Sequence, residues 1–89
     1  MSARLKAVPG TPNNWDRVYR DHYPRVLRLC RMMLSDANEA EESAQEVFVK
    51  AMEHYRVDGA PDNWEAWLTR VAVNACRDRR RSGWWRFAT

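Results

Sequence analysis

The sequence predicts an all-α domain, a compact bundle of three main helices, and three observations carry that prediction. Apolar side chains recur at intervals of three and four in three successive stretches, and a residue suited to capping a helix stands at the head of each. The chain is 45% hydrophobic, with five Trp, three Tyr and two Phe, which is ample for a helical core, while three Gly and four Pro argue against a disordered chain. Its 89 residues allow one small domain, which buries a limited fraction of its surface.

Residues 1–13 include Pro9, Gly10, Pro12 and Asn13, show no periodicity and read as a flexible leader. Asn14 is the expected N-cap of the first helix. There Trp15, Val18, Tyr19, His22, Tyr23, Val26, Leu27, Cys30, Met33 and Leu34 form one apolar stripe, with Arg17, Arg20, Arg28 and Arg31 outside it. Pro24 removes the hydrogen bond to the Arg20 carbonyl, so a kink or a break is expected; the apolar register persists across it, which favours the kink. Asp36 with Glu39 three residues on makes a capping-box-like start for a second helix over about 37–54. Its core stripe is Ala40, Ala44, Val47, Phe48, Ala51, Met52 and Tyr55. Arg56 to Asn63 reads as a turn-rich loop, and Asn63 caps the third helix, whose buried face is Trp64, Trp67, Leu68, Val71, Ala72, Ala75 and Cys76. That helix is expected to run to about Arg81 and stop at Ser82-Gly83, leaving Trp84, Trp85 and Phe87 beyond it. The domain is accordingly expected to span residues 14–82.

Several classes are excluded. No apolar run approaches the roughly 20 residues that span a bilayer, and the first ten residues lack the apolar region of a signal peptide, so a cytoplasmic protein is expected. Cys30 and Cys76 have neither CxxC nor Cys/His spacing, which speaks against a zinc site or a disulfide framework. No nucleophile with its base and no carboxylate cluster is recognisable around His22, His54 or elsewhere; no catalytic role, metal or cofactor is implied. The net charge of +3 is segregated into blocks of +5 over residues 1–35, −7 over 36–65 and +5 over 66–89. Such alternation suits a protein that meets both nucleic acid and a basic protein surface, although solvated helix faces also produce it.

Two helices carry a second polar face. On the second, Glu42, Gln45, Glu46, Val49 and Glu53 fall opposite the core stripe, so two carboxylates, an amide and an apolar side chain share a strip suited to a basic helix. A solvent-facing surface is the plainer alternative. On the third, Arg70, Asn74, Arg77 and Arg81 are spaced four, three and four residues apart. Guanidinium groups fork onto phosphates while an amide reads a base edge, so the stripe is suited to nucleic acid; compensation of the helix dipole is the alternative. Arg79, Arg80 and Arg86 are expected to widen this positive surface. Trp64 is open between core packing and base stacking, and Trp67 lies in the core rhythm.

The strings Ala40-Glu41-Glu42-Ser43-Ala44-Gln45-Glu46-Val47-Phe48-Val49-Lys50-Ala51 and Trp67-Leu68-Thr69-Arg70-Val71-Ala72-Val73-Asn74 are similar to the patterns A-E-D-x-x-Q-E-x-F-x-K-A and W-L-x-R-I-A-x-N. These are patterns of the extracytoplasmic-function (ECF) sigma factors of bacterial RNA polymerase. The resemblance runs from about Trp15 to Arg81 and corresponds to region 2, the promoter-melting region. It implies that Glu42, Gln45, Glu46 and Val49 face the clamp-helix coiled coil of the polymerase's largest subunit. It further implies that Asp58, Asn63, Arg70, Asn74, Arg77, Arg80 and Arg81, with the loop before the third helix, hold the non-template strand of the promoter −10 element. Negative control by an anti-sigma factor that covers these surfaces is implied as well, and a monomer is expected in isolation.

The chain departs from the family in ways that shape these expectations. The family usually has Asp where Glu42 stands, and Glu keeps the charge with a longer reach. The family adds a helix-turn-helix domain that reads the −35 element, so an excised domain is expected, with residues 83–89 opening an interdomain linker. Cys76 and Asp78 fit no pattern, and the loop Arg56 to Asn63 is the part that varies with promoter. A competing reading is a helical protein-interaction module that engages a regulator without sequence-specific DNA binding.

Overall fold

A computed structural model describes the backbone over residues 15–88 and side chains over residues 15–81. Among the described residues three helices follow one another: α1 (Trp15–Met33), α2 (Ala37–Asp58) and α3 (Trp64–Ala88). Each packs on the other two, as expected for an all-α bundle of three main helices. The leader 1–13, the Asn14 cap and the side chains of Trp84, Trp85, Arg86 and Phe87 lie outside the described residues.

Helix α1 runs unbroken through Pro24, so the break does not occur. Pro24 and Arg20 are both exposed, and water can satisfy the Arg20 carbonyl that proline leaves without a donor. Helix α2 begins as its cap predicts: Asp36, in extended geometry, accepts from the backbone N–H groups of Asn38 at 2.8 Å and Glu39 at 3.1 Å through one carboxylate oxygen. Its end differs from the expected residue 54. The helix continues to Asp58 and closes at Gly59, whose φ of 82° suits glycine and whose N–H donates to the Tyr55 carbonyl at 2.9 Å. The extra turn is held by Tyr55, which meets Trp64 edge-on at 5.7 Å. The loop therefore starts at Gly59 rather than Arg56.

Asn63 caps α3 as expected, accepting from the Ala66 N–H at 3.0 Å. The helix does not stop at Ser82-Gly83 but extends through Ala88. Mid-helix glycine costs only about 1 kcal/mol relative to alanine, and Ser82-Gly83 brings no proline to end the ladder.

The core has two characters. At one end, Trp15, Tyr19 and Tyr23 of α1 surround Phe48 of α2 at ring separations of 6.0, 5.0 and 5.6 Å, and Trp64 continues the cluster at 6.3 Å from Trp15. Trp64 is thereby a packing residue. At the other end, Val26, Cys30, Ala40, Ala44, Ala72 and Cys76 are fully enclosed, and their small volumes let the helices approach closely. Leu68, Val26 and Val47 have no exposure, each contributing about 1.5–3 kcal/mol relative to an exposed side chain. The residue pairing makes α2 antiparallel to α1 and α3, and this arrangement sets the polar faces of α2 and α3 near one another.

Candidate functional site

Turning the apolar stripe of α2 inward fixes what its outer face presents. Ala40, Ala44, Val47, Phe48 and Ala51 are buried, while Glu42, Gln45, Glu46, Val49, Lys50 and Glu53 are exposed and line an open depression of about 570 Å³. Val49 is 54% exposed amid charged neighbours, an apolar side chain for which the fold itself provides no cover. Gln45 neighbours the Tyr23 phenol of α1, so the strip borders the aromatic end of the core. Burial, and after it neighbouring Tyr19, raises the Tyr23 pKa above its ordinary value, and Gln45 opposes that rise.

The acidic strip already has one basic partner within the chain. Arg79 does not join the outward positive surface as the sequence suggests. Its guanidinium donates to Glu42 Oε1 at 3.1 Å and to Glu46 Oε2 at 3.0 Å, with the Arg79 side chain 23% exposed and the two glutamates 67% and 56% exposed. The cause is register. Arg79 lies four residues after Ala75 and three after Cys76, so it extends the buried stripe of α3 by one turn and points at α2. Glu42 and Glu46 sit four residues apart and repel; one guanidinium between them offsets that repulsion, with a net contribution of about 1 kcal/mol or less per exposed pair.

On α3, Arg70, Asn74, Arg77, Arg80 and Arg81 are exposed. Among the described residues, Arg81 makes only a long 4.0 Å contact with Asp78 on its own helix. The stripe is therefore displayed as the spacing predicts. Asn63 and Asp58 are exposed at the flanks of the loop but are partly engaged: Asn63 Oδ1 holds the cap, and Asp58 faces His54 Nδ1 at 3.4 Å. His54 in turn lies 4.8 Å from the Trp67 ring, so the end of α2 and the start of α3 are joined by side chains.

Residues 18–86 match the family Sigma-70 region 2. The chain belongs to the sigma-70 region 2 family. Among relatives of this region 2 domain, the ECF RNA polymerase sigma factor SigM of Mycobacterium tuberculosis is 31% identical over 77 residues, covering 83% of this chain and 38% of the relative. SigE of Mycolicibacterium smegmatis is 33% identical over 73 residues (76% and 27%), and SigW of Bacillus subtilis 36% over 66 residues (72% and 33%); both are also ECF RNA polymerase sigma factors by name. The chain thus spans about a third of the length of these relatives. No solved structure matches it.

Two structural residues of this region 2 domain, Arg25 and Ser43, and one contact, between Cys30 and Cys76, escape a reading of its sequence. Arg25 of α1 donates to Thr69 Oγ1 at 2.8 Å and to the Glu65 carbonyl at 3.0 Å, fastening α1 to the first turns of α3. It flanks Val26 at the edge of the core stripe, and that position was its only signal. Ser43 is fully buried between Ala40 and Val47 in helical register, and its Oγ has no partner among the described residues. Cys30 and Cys76, which follow no motif, meet inside the bundle as free thiols. Burial, then the hydrogen bond with Cys76, pushes the Cys30 thiol up to about 12, so it is not a nucleophile near neutral pH. Among the described residues no group of three His, Cys, Asp or Glu could hold a metal, and no helix is long and apolar enough to cross a membrane.

Proposed function

We propose that this domain is the promoter-recognition part of an ECF-type RNA polymerase sigma factor, working in the cytoplasm with the polymerase. The α2 strip of Glu42, Gln45, Glu46 and Val49 binds the clamp-helix coiled coil of the polymerase's largest subunit. The outer face of α3, with Arg70, Asn74, Arg77, Arg80 and Arg81, and the loop between Asp58 and Asn63 hold the non-template strand of the −10 element. The observation that carries this reading is the outward display of two polar faces of different character, with Val49 exposed in one and Asn74 in the other.

The mechanism is capture. A base leaving the duplex costs a few kcal/mol in pairing and stacking, and contacts to the extruded base and to phosphates offset that cost. Guanidinium groups hold the backbone without regard to sequence, while Asn74, able to donate and accept, supplies discrimination. Bond chemistry belongs to the polymerase. An anti-sigma factor that covers the α2 strip would give the off state, and the free domain is a monomer.

The test is fluorescence anisotropy of single-stranded oligonucleotides of varied −10 sequence, with and without core polymerase, for wild type and Asn74→Ala. Sequence-dependent binding that core polymerase enhances and Asn74→Ala erodes is expected. Uniform, salt-labile binding would favour an interaction module that engages a regulator.

A further inference from the structure

We infer that Arg79 is a positioning residue for the polymerase-binding strip: it holds Glu42 and Glu46 side by side in the arrangement that the partner's basic helix meets. The inference rests on the clamp reading above and adds to it a residue on the opposite helix. Its first support is geometry. One guanidinium forks between two carboxylates one turn apart, taking Oε1 of Glu42 at 3.1 Å and Oε2 of Glu46 at 3.0 Å. Among the described residues, Glu42 Oε2 and Glu46 Oε1 have no hydrogen-bond partner, and each remains available to an incoming donor.

The second support is depth. The Arg79 side chain is 23% exposed against 67% and 56% for the glutamates, so the guanidinium lies beneath the strip and the carboxylates stand outward from it. A competitor that occupied the docking surface would lie above the carboxylates; Arg79 supports them from below.

The third support is charge. Arg79 pairs with Glu42 and Glu46, and Lys50 lines the depression beside Glu53, so the strip is less negative than its glutamates alone imply. Long-range attraction of a basic partner is correspondingly weak, and fixed orientation becomes the larger asset: ordering flexible glutamates on binding would cost affinity, and Arg79 orders them beforehand. Orientation and attraction separate kinetically. Orientation governs how long a complex lasts, whereas net charge governs how fast it forms.

The test measures association and dissociation of the labelled chain with core RNA polymerase for Arg79→Met, which keeps the stem, and Arg79→Lys, which keeps the charge but cannot fork. Arg79→Met is expected to raise the dissociation rate about tenfold while association is undiminished, because the strip gains negative charge. Arg79→Lys should fall between Arg79→Met and wild type. In a Glu42→Gln/Glu46→Gln background Arg79→Met should add nothing, a result that general loss of structure would not give. Tighter binding by Arg79→Met, or an equal loss in both backgrounds, would overturn the inference while leaving the clamp reading standing. Failure of wild type itself to bind would remove the clamp reading and the inference with it, and the wild-type arm alone reports that.

Discussion

Arg25 offers a prediction that follows from the structure and from no motif. Its guanidinium reaches from α1 to the first turns of α3, donating to Thr69 Oγ1 at 2.8 Å and the Glu65 carbonyl at 3.0 Å; the 4.0 Å contact with the Glu65 carboxylate adds little. A charged donor in a buried bond contributes roughly 1.5–3 kcal/mol, and at 30% side-chain exposure water replaces part of that, so the two bonds together should contribute about 1–2 kcal/mol. Arg25→Met, which keeps the stem, should therefore destabilise the domain by that amount. For a chain of this size the melting temperature should drop by about 5–12 °C. Thr69→Val alone should cost less, about 0.5–1 kcal/mol, because the freed guanidinium nitrogen can be hydrated. The assay is urea unfolding of wild type, both single variants and the double variant. A shared hydrogen bond requires the double variant to cost clearly less than the sum of the singles. Additive costs, or a change below about 0.3 kcal/mol for Arg25→Met, would refute the claim that this contact fixes α3.

Three further outcomes follow from other sites. Gly59→Ala should destabilise by about 1–2 kcal/mol in urea unfolding, because φ of 82° penalises a Cβ even though nothing would crowd it. Because the Cys30 pKa is raised in the fold, its contribution is complete below the unfolded value of 9.0 and is lost as pH rises from there toward about 12. Urea midpoints should accordingly fall between pH 8 and 10.5, less steeply in Cys30→Ala; Tyr23, also raised, acts in the same direction. If Arg70, Arg77, Arg80 and Arg81 each neutralise one phosphate, log affinity for single-stranded DNA should fall with log salt at a slope of roughly −2.8, or about 50-fold between 50 and 200 mM. A slope near −1 would mean that most of them point away from the strand.

The bundle was legible because its stripes are regular: residues at three- and four-residue intervals from Trp15 to Cys76 are those that pack, and the caps at Asp36 and Asn63 chose their helices. Helix ends were less so. The last turn of α2 depends on Tyr55 meeting Trp64, and the continuation of α3 past Gly83 depends on the absence of a true stop, neither of which local propensity records. Exposed members of the two faces were readable for the same reason as the core, since they are what the stripes leave outside. Arg79 was not, because an arginine in an arginine run carries no mark of direction; its register with Ala75 and Cys76, rather than its charge, tells that it turns inward. Arg25 was hidden likewise, its role belonging to a contact between residues 44 positions apart.

The central claim is that one small bundle offers two independent docking faces. The most direct test is a crossed measurement: core polymerase binding and −10 oligonucleotide binding, each for Gln45→Ala and Asn74→Ala, with thermal unfolding as a control. The account predicts that Gln45→Ala loses polymerase and keeps DNA, that Asn74→Ala loses sequence-dependent DNA and keeps polymerase, and that both variants stay folded. Equal loss of both activities in folded Gln45→Ala and Asn74→Ala would contradict it.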